Sequence, residues 1–219
     1  MRRLFCVPVV LLAASFSAQA DLFYNDPTTW LSATTGAVTT VNFEGLVPPG
    51  NFSFIGSGAG TNTTVGGINF AIGPASNGNL FILGDGVYYP GTAVISSQES
   101  TTAFNDLLIT LPARVTALGF WFGDFGGDTA TITLSDGQFA QPTAAVAPYL
   151  GFFGVAAPGG ITSVDITTPD PVMNLSSLSY GTTTVTPEPS ALLLLATVIA
   201  ITGLLLRKRL RQSFAPTRL

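Results

Sequence analysis

ALGFWFGDFGGDTATITLSDG, residues 117–137, is the stretch whose reading decides the class of fold. It opens on an apolar run, ALGFWF (117–122), of the kind that forms a strand buried on both faces. After a Gly/Asp loop, ATITLS (130–135) alternates strictly. Ala130, Ile132 and Leu134 fall on one side, and Thr131, Thr133 and Ser135 on the other, which is the period of a half-buried strand. Asp136-Gly137 then supplies a hairpin-turn dipeptide.

The same signals recur outward from this point. VTTVNF (38–43), GINFAI (67–72), LFIL (80–83), TAVIS (92–96) and LLITL (107–111) precede it. GFFGV (151–155), ITSVDIT (161–167) and LSSLSYG (175–181) follow. Gly, Pro, Asn or Asp separates most of these strand candidates. No amphipathic helix of convincing length is read between residues 21 and 185, and no internal repeat. The expectation is an all-β ectodomain over 21–181, an antiparallel β-sandwich or a jelly-roll-like variant of it.

Composition restricts function. Charged residues make up 9% of the chain, against about 25% in ordinary soluble domains. From Asp21 to Pro189 a single base, Arg114, stands against all twelve acids, a net charge of −11. Nucleic-acid binding needs a basic face and is excluded. There is no histidine, and the one cysteine is Cys6. No Ser-His-Asp or Cys-His catalytic arrangement can be assembled, and no Cys/His metal site. A core without disulfides relies on burial, for which a domain of this length is ample.

Both ends read as targeting segments. Residues 1–20 have the form of a signal peptide: Arg2 and Arg3, an apolar run from Leu4 to Ala14, and the small-x-small site Ala18-Gln19-Ala20. An uncleaved anchor is the alternative. At the other end, residues 182–189 form a Thr-rich linker that carries Pro187-Glu188-Pro189. Residues 190–206 are the expected transmembrane helix. Its 16 uncharged residues, Ala191 to Leu206, span roughly 24 Å at about 1.5 Å each, somewhat short of a bilayer core. Ser190 caps the helix, and Glu188 complements its dipole. Residues 207–219 form a basic tail, in which Arg207, Lys208, Arg209 and Arg211 act as the cytoplasmic stop. A buried core helix is the competing reading, but it does not account for that basic block.

The order Pro-Glu-Pro, apolar helix, basic cluster resembles the PEP-CTERM sorting signal of bacterial exported proteins, also known as an ice-binding-protein C-terminal domain. The second label carries no implication of ice binding. The resemblance covers residues 186 to 211. It implies processing near Pro187-Glu188-Pro189 by an exosortase, an integral-membrane transpeptidase-like enzyme. It also implies a stay in the inner membrane with the ectodomain outside, then delivery to the cell surface or the exopolysaccharide matrix. The tail from Gln212 to Leu219 runs on past the basic block, where many such signals end.

The ectodomain is loosely similar to those often joined to such signals. The similarity rests on Phe43-Glu44-Gly45-Leu46, on Ala117 to Phe120, on Phe152 to Val155 and on Leu178 to Gly181. Relatives often start the last strand with an acidic Asp-Asn or Asp-Asp pair. This chain has Asn174-Leu175-Ser176-Ser177 there, so any site built on that acid is absent or altered.

Three site readings follow. Asp124 and Asp128 flank a Gly-rich loop and suit Ca²⁺, which takes six to eight oxygens, although ordinary turn chemistry explains the same residues. Trp121, Tyr88 and Tyr89, with Trp30 and Phe122 beside them, are candidates for a sugar-stacking platform, or else core residues. Neighbours on a strand face opposite ways, so at most one of Trp121 and Phe122 belongs to the core. No spacing marks the paired carboxylates of a glycosidase, and no catalytic residue is assigned. The reading is a non-enzymatic structural or glycan-binding surface protein. A polysaccharide hydrolase and a permanently anchored surface protein are the alternatives.

Overall fold

The structure, a computed structural model, describes residues 21–99, 104–183, 198–199 and 201–203. The chain divides into two compact units, Met1–Thr184 and Val185–Leu219. In the second unit, residues 198–199 and 201–203 are helical. No helix among the described residues is long and apolar enough to cross a membrane. The signal peptide, the Pro-Glu-Pro motif, the basic stop and most of the 190–206 segment lie outside the described residues.

The first unit is mostly antiparallel β-sheet. In chain order it has β1 (Leu22–Tyr24), α1 (Pro27–Ala33), β2 (Thr39–Asn42), β3 (Phe52–Ser57) and β4 (Asn62–Val65). Next come β5 (Ile68–Ile72), β6 (Asn79–Leu83), β7 (Val94–Gln98) and β8 (Asn105–Asp124). β9 (Thr131–Leu134), β10 (Phe139–Ala140), β11 (Ala145–Val146), β12 (Gly151–Thr168) and β13 (Val172–Gly181) complete it.

Two long strands organise the rest. LLITL and ALGFWF, which read as separate strands, are the two halves of β8. GFFGV and ITSVDIT are likewise the halves of β12. The first half of β8 pairs with β5 and with the end of β12, which in turn pairs with β9. The second half of β8 pairs with the start of β12 and with β13. β13 carries β2 and β7, and β6 and β3 follow beyond β7. The β8/β12 register shifts between the halves, at Ala156/Ile161 and Ile161/Ser163.

At that corner the inward parity reverses. Leu107, Ile109 and Leu111 face the core before it, and Leu118, Phe120 and Phe122 after it. Phe153 and Val155 swap in the same way with Val164 and Ile166. Strands that turn a corner through irregular register pass from one layer to another. The layers meet on one apolar core containing Phe43, Phe70, Ile95, Phe120, Ile132, Leu175 and Leu178, as a β-sandwich requires. Arg114 holds the corner by donating to the carbonyls of Gly159 and Gly160.

The short helix is an addition to the sequence reading. Asp26 caps it by accepting from the Thr29 amide at 2.7 Å, and Pro27 fills the first turn. The Thr29 hydroxyl, which donates to the same Asp26 oxygen at 2.6 Å, and then the Thr29 amide hold the Asp26 carboxyl below its usual range. The helix delivers Trp30 onto β12, where its Nε1 donates to Val155 O at 3.2 Å. A Cβ on Gly154 would lie 2.6 Å from the Trp30 ring, and one on Gly119 would lie 2.8 Å from Phe152. Both glycines are therefore places where an indole or phenyl ring lies against bare backbone.

β13 ends at Gly181, but the hydrogen bonding of the unit continues beyond it. Thr35 N donates to Thr182 O, and Thr183 N donates to the Thr116 hydroxyl. The first two residues of the expected linker are thus tied to the β-domain.

Candidate functional site

A row of side chains crosses the outer face of the second layer. Register places Asn42 of β2 opposite Ser177 of β13, Ser177 opposite Trp121 of β8, and Trp121 opposite Phe152 of β12. Strands are about 4.8 Å apart, so the row is a band roughly 14 Å long. A bulge in β13 shapes it. Leu175 pairs with Phe122 and Ser177 with Trp121, which leaves Ser176 as the extra residue. Ser176 and Ser177 therefore both line the groove beside Trp121.

The groove has a volume of about 450 Å³. Small-ligand clefts commonly span roughly 300–1,000 Å³. Its other walls come from Glu44, Tyr89, Pro90, Thr92, Pro148, Tyr149 and Leu150. Trp121 is 36% exposed and Tyr149 74% exposed, so both offer open ring surface. Phe152 meets Trp121 edge-on, with centroids 5.5 Å apart, and braces it from the far side.

Glu44 is aimed by the residues around it. Phe43 is fully buried and packs against Phe70 at 5.3 Å, and Glu44, in the turn that follows it, is exposed. Gly45 takes φ +73, a conformation that suits glycine. Glu44 Oε1 accepts from Ala93 N at 2.8 Å, and Asn42 Oδ1 accepts from Glu44 N at 3.3 Å. The Phe-Glu-Gly-Leu segment thus combines a core anchor, a groove carboxylate and a turn.

The structure divides the aromatic candidates. Trp121 lines the groove, and its neighbour Phe122 is in the core. Tyr89 is buried, which corrects the expectation of an exposed stacking ring. Its edge forms part of the groove wall, and its hydroxyl accepts from Asn174 Nδ2 at 3.0 Å. Burial pushes the Tyr89 hydroxyl up to about 12, and the Asn174 bond opposes that shift. Asn174 is a buried support for this ring. Tyr88 does not line the groove; it is half-buried and packs edge-on against Phe125 at 4.9 Å. Trp30 is buried as well.

The acidic loop gains a member that spacing did not reveal. Asp170, before β13, joins Asp124 and Asp128, and one oxygen from each lies within 4.8 Å of the others. Three converging carboxylates fit the oxygen preference of Ca²⁺. Asp124 is nevertheless committed to its own loop. Its Oδ1 accepts from Gly127 N at 2.6 Å, and its Oδ2 from Asp128 N at 3.2 Å. Burial raises the Asp124 carboxyl, the Gly127 amide lowers it, and the Asp170 charge raises it again.

Two carboxyl pairs lie elsewhere. Burial, then hydrogen bonding and charge from Asp106, push Asp165 up to about 7. Burial, then the charge and hydrogen bond of Asp136, push Asp21 up to about 6. Among the residues lining the groove, Glu44 is the one acid.

No protein-family model and no curated protein matches this chain. Solved structures give distant likenesses. A family 29 carbohydrate-binding module is 13% identical, with a TM-score of 0.32 over 72% of this chain and 99% of that one. A CBM29-2 mutant complexed with mannohexaose is 13% identical, with a TM-score of 0.34 over 60% and 93%. The K1 cleaved adhesin domain of Lys-gingipain from Porphyromonas gingivalis is 14% identical, with a TM-score of 0.35 over 68% and 100%. Likenesses this remote assign no ligand, so the groove stands on its own residues.

Proposed function

We propose that this is an exported, surface-directed β-sandwich protein whose outer-face groove binds carbohydrate without transforming it. The observation that carries the reading is the row Asn42, Ser177 and Trp121, with Tyr149 lining the same groove. Aromatic faces stack on the apolar faces of sugar rings, while amide and hydroxyl groups take the sugar hydroxyls. Glu44 alone does not make the two-carboxylate arrangement of glycoside hydrolysis, which favours binding over hydrolysis.

The test is titration of the protein with neutral and amino-bearing oligosaccharides, followed by Trp fluorescence and calorimetry. Binding is expected to perturb Trp121, and Trp121→Ala is expected to weaken it at least about tenfold. Calcium removal is expected to leave it unchanged, because the groove residues do not include Asp124, Asp128 or Asp170. Binding that survives Trp121→Ala intact would place the ligand elsewhere.

The proposed route to the surface uses the sorting signal. An exosortase-type enzyme acts near Pro187-Glu188-Pro189, while Arg207, Lys208, Arg209 and Arg211 keep the tail cytoplasmic. The released protein then joins the cell surface or the exopolysaccharide matrix. The mass of the released protein checks this: it should lack the residues after the Pro-Glu-Pro region. An intact C-terminus retained in the membrane would mean permanent anchoring instead.

A further inference from the structure

The groove combines one fixed negative charge, two open aromatic faces and no base. Taking it as a carbohydrate site, we infer that it selects glycans bearing free amino groups, that is, hexosamine polymers whose nitrogens are not acylated.

The carboxylate is the first reason. Glu44 is exposed, yet it is not loose: Oε1 is held by the Ala93 amide, and the backbone is fixed between buried Phe43 and the Gly45 turn. Among the described residues no hydrogen bond occupies Oε2. An oriented carboxylate with a vacant oxygen at a groove wall is a receptor for a cationic donor, and charge-assisted bonds are about twice as strong as neutral ones.

The aromatic faces point to the same ligand. Trp121 and Tyr149 line the groove and are open to solvent. Indole and phenol faces attract ammonium groups as well as sugar C–H faces. A protonated amino sugar engages Glu44 and a ring at once, whereas an N-acetylated one has no charge to offer.

The third reason concerns rejection. The Asp21–Pro189 segment carries a net charge of −11, and its one base is Arg114. That guanidinium is engaged with the Gly159 and Gly160 carbonyls at the corner and does not line the groove. A uronate or sulfated glycan would meet repulsion with no counter-charge, and like-charge contacts act as a selectivity filter. Asn42, Ser176 and Ser177 supply the neutral hydrogen bonds that either kind of hexosamine uses.

The experiment uses the full-length protein and three oligomers of equal length: glucosamine, N-acetylglucosamine and galacturonate. Each is titrated into wild type, Glu44→Gln, Trp121→Ala and a charge-matched control away from the groove, Asp136→Asn. The glucosamine oligomer is expected to bind about tenfold tighter than the acetylated one, and galacturonate not to bind. Glu44→Gln should erase the preference while keeping residual binding of both hexosamines, and Asp136→Asn should keep the preference. The inference is overturned if wild type binds the two hexosamines alike, if galacturonate binds best, or if Asp136→Asn acts as strongly as Glu44→Gln. In each of those cases the groove reading survives provided Trp121→Ala abolishes the binding seen. If no oligosaccharide binds the wild type at all, the carbohydrate reading has failed together with the inference.

Discussion

Trp121 and Phe122 are consecutive residues of β8 with opposite fates. Phe122 is 1% exposed and lies in the core shared by both layers; Trp121 is 36% exposed and lines a groove. The outer face is not open along the whole strand. In the first half of β8, Asp106 is also on the outer side, yet it is sealed: Ala75 N donates to its Oδ2 at 2.8 Å, and a Cβ on Gly73 would overlap its carboxylate. The difference teaches that alternation decides only inward or outward. Whether an outward residue is covered depends on which loop crosses above it.

Changes at the two ends of this comparison should separate by size. Phe122→Ala removes a buried aromatic ring and should cost about 3–5 kcal/mol in denaturant unfolding. Trp121→Ala should cost about 1 kcal/mol or less, because its ring is partly solvated already. Equal costs would mean that the outer ring is structural. Gly73→Ala forces a methyl into the Asp106 carboxylate and should cost about 2 kcal/mol. A neutral result in the same assay would show that the first half of the outer face is as open as the second.

The smallest effect concerns pH. Asp165 and Asp21 titrate near about 7 and 6 in the folded protein, above the ordinary value of 3.8. The folded state therefore binds these protons more tightly than the unfolded chain. Their stabilising effect is complete below the unfolded value and is lost as pH rises through the folded values. The thermal midpoint should fall between about pH 4 and about pH 7, and Asp165→Asn should shrink that fall. A midpoint that rises over the same interval would contradict the carboxyl pairing.

Much of the strand content was legible because alternation and turn residues are local. Ala130 to Ser135 alternates in burial as it does in sequence, and Asp136-Gly137 turns the β9–β10 hairpin, with Gly137 at φ +89. The continuity of β8 through Leu111-Pro112-Ala113-Arg114 was hidden, since proline and a charge read as a break while the corner keeps them at the surface. The helix Pro27–Ala33 went unread because it is only seven residues long and its apolar stripe reduces to Trp30. For the site, strand geometry put Trp121 and Phe122 on opposite sides but left open which of them faced the core. Glu44 and Tyr149 were not legible as site residues, because nothing near them in sequence signals that β2 and the loop before β12 border the same groove.

The sequence by itself determined the strand-rich class, the acidic character with no histidine and a single cysteine, and the targeting expectations at both ends. Those properties depend on composition and on periods of a few residues. Only the tertiary structure decided that Asn42, Glu44, Trp121, Tyr149 and Ser176–Ser177 share one surface, and that Asp170 joins Asp124 and Asp128. Such neighbours are set by strand order, by the corner in β8 and β12 and by the bulge in β13. Those are the result of packing two layers on one core, and no local window of sequence contains them.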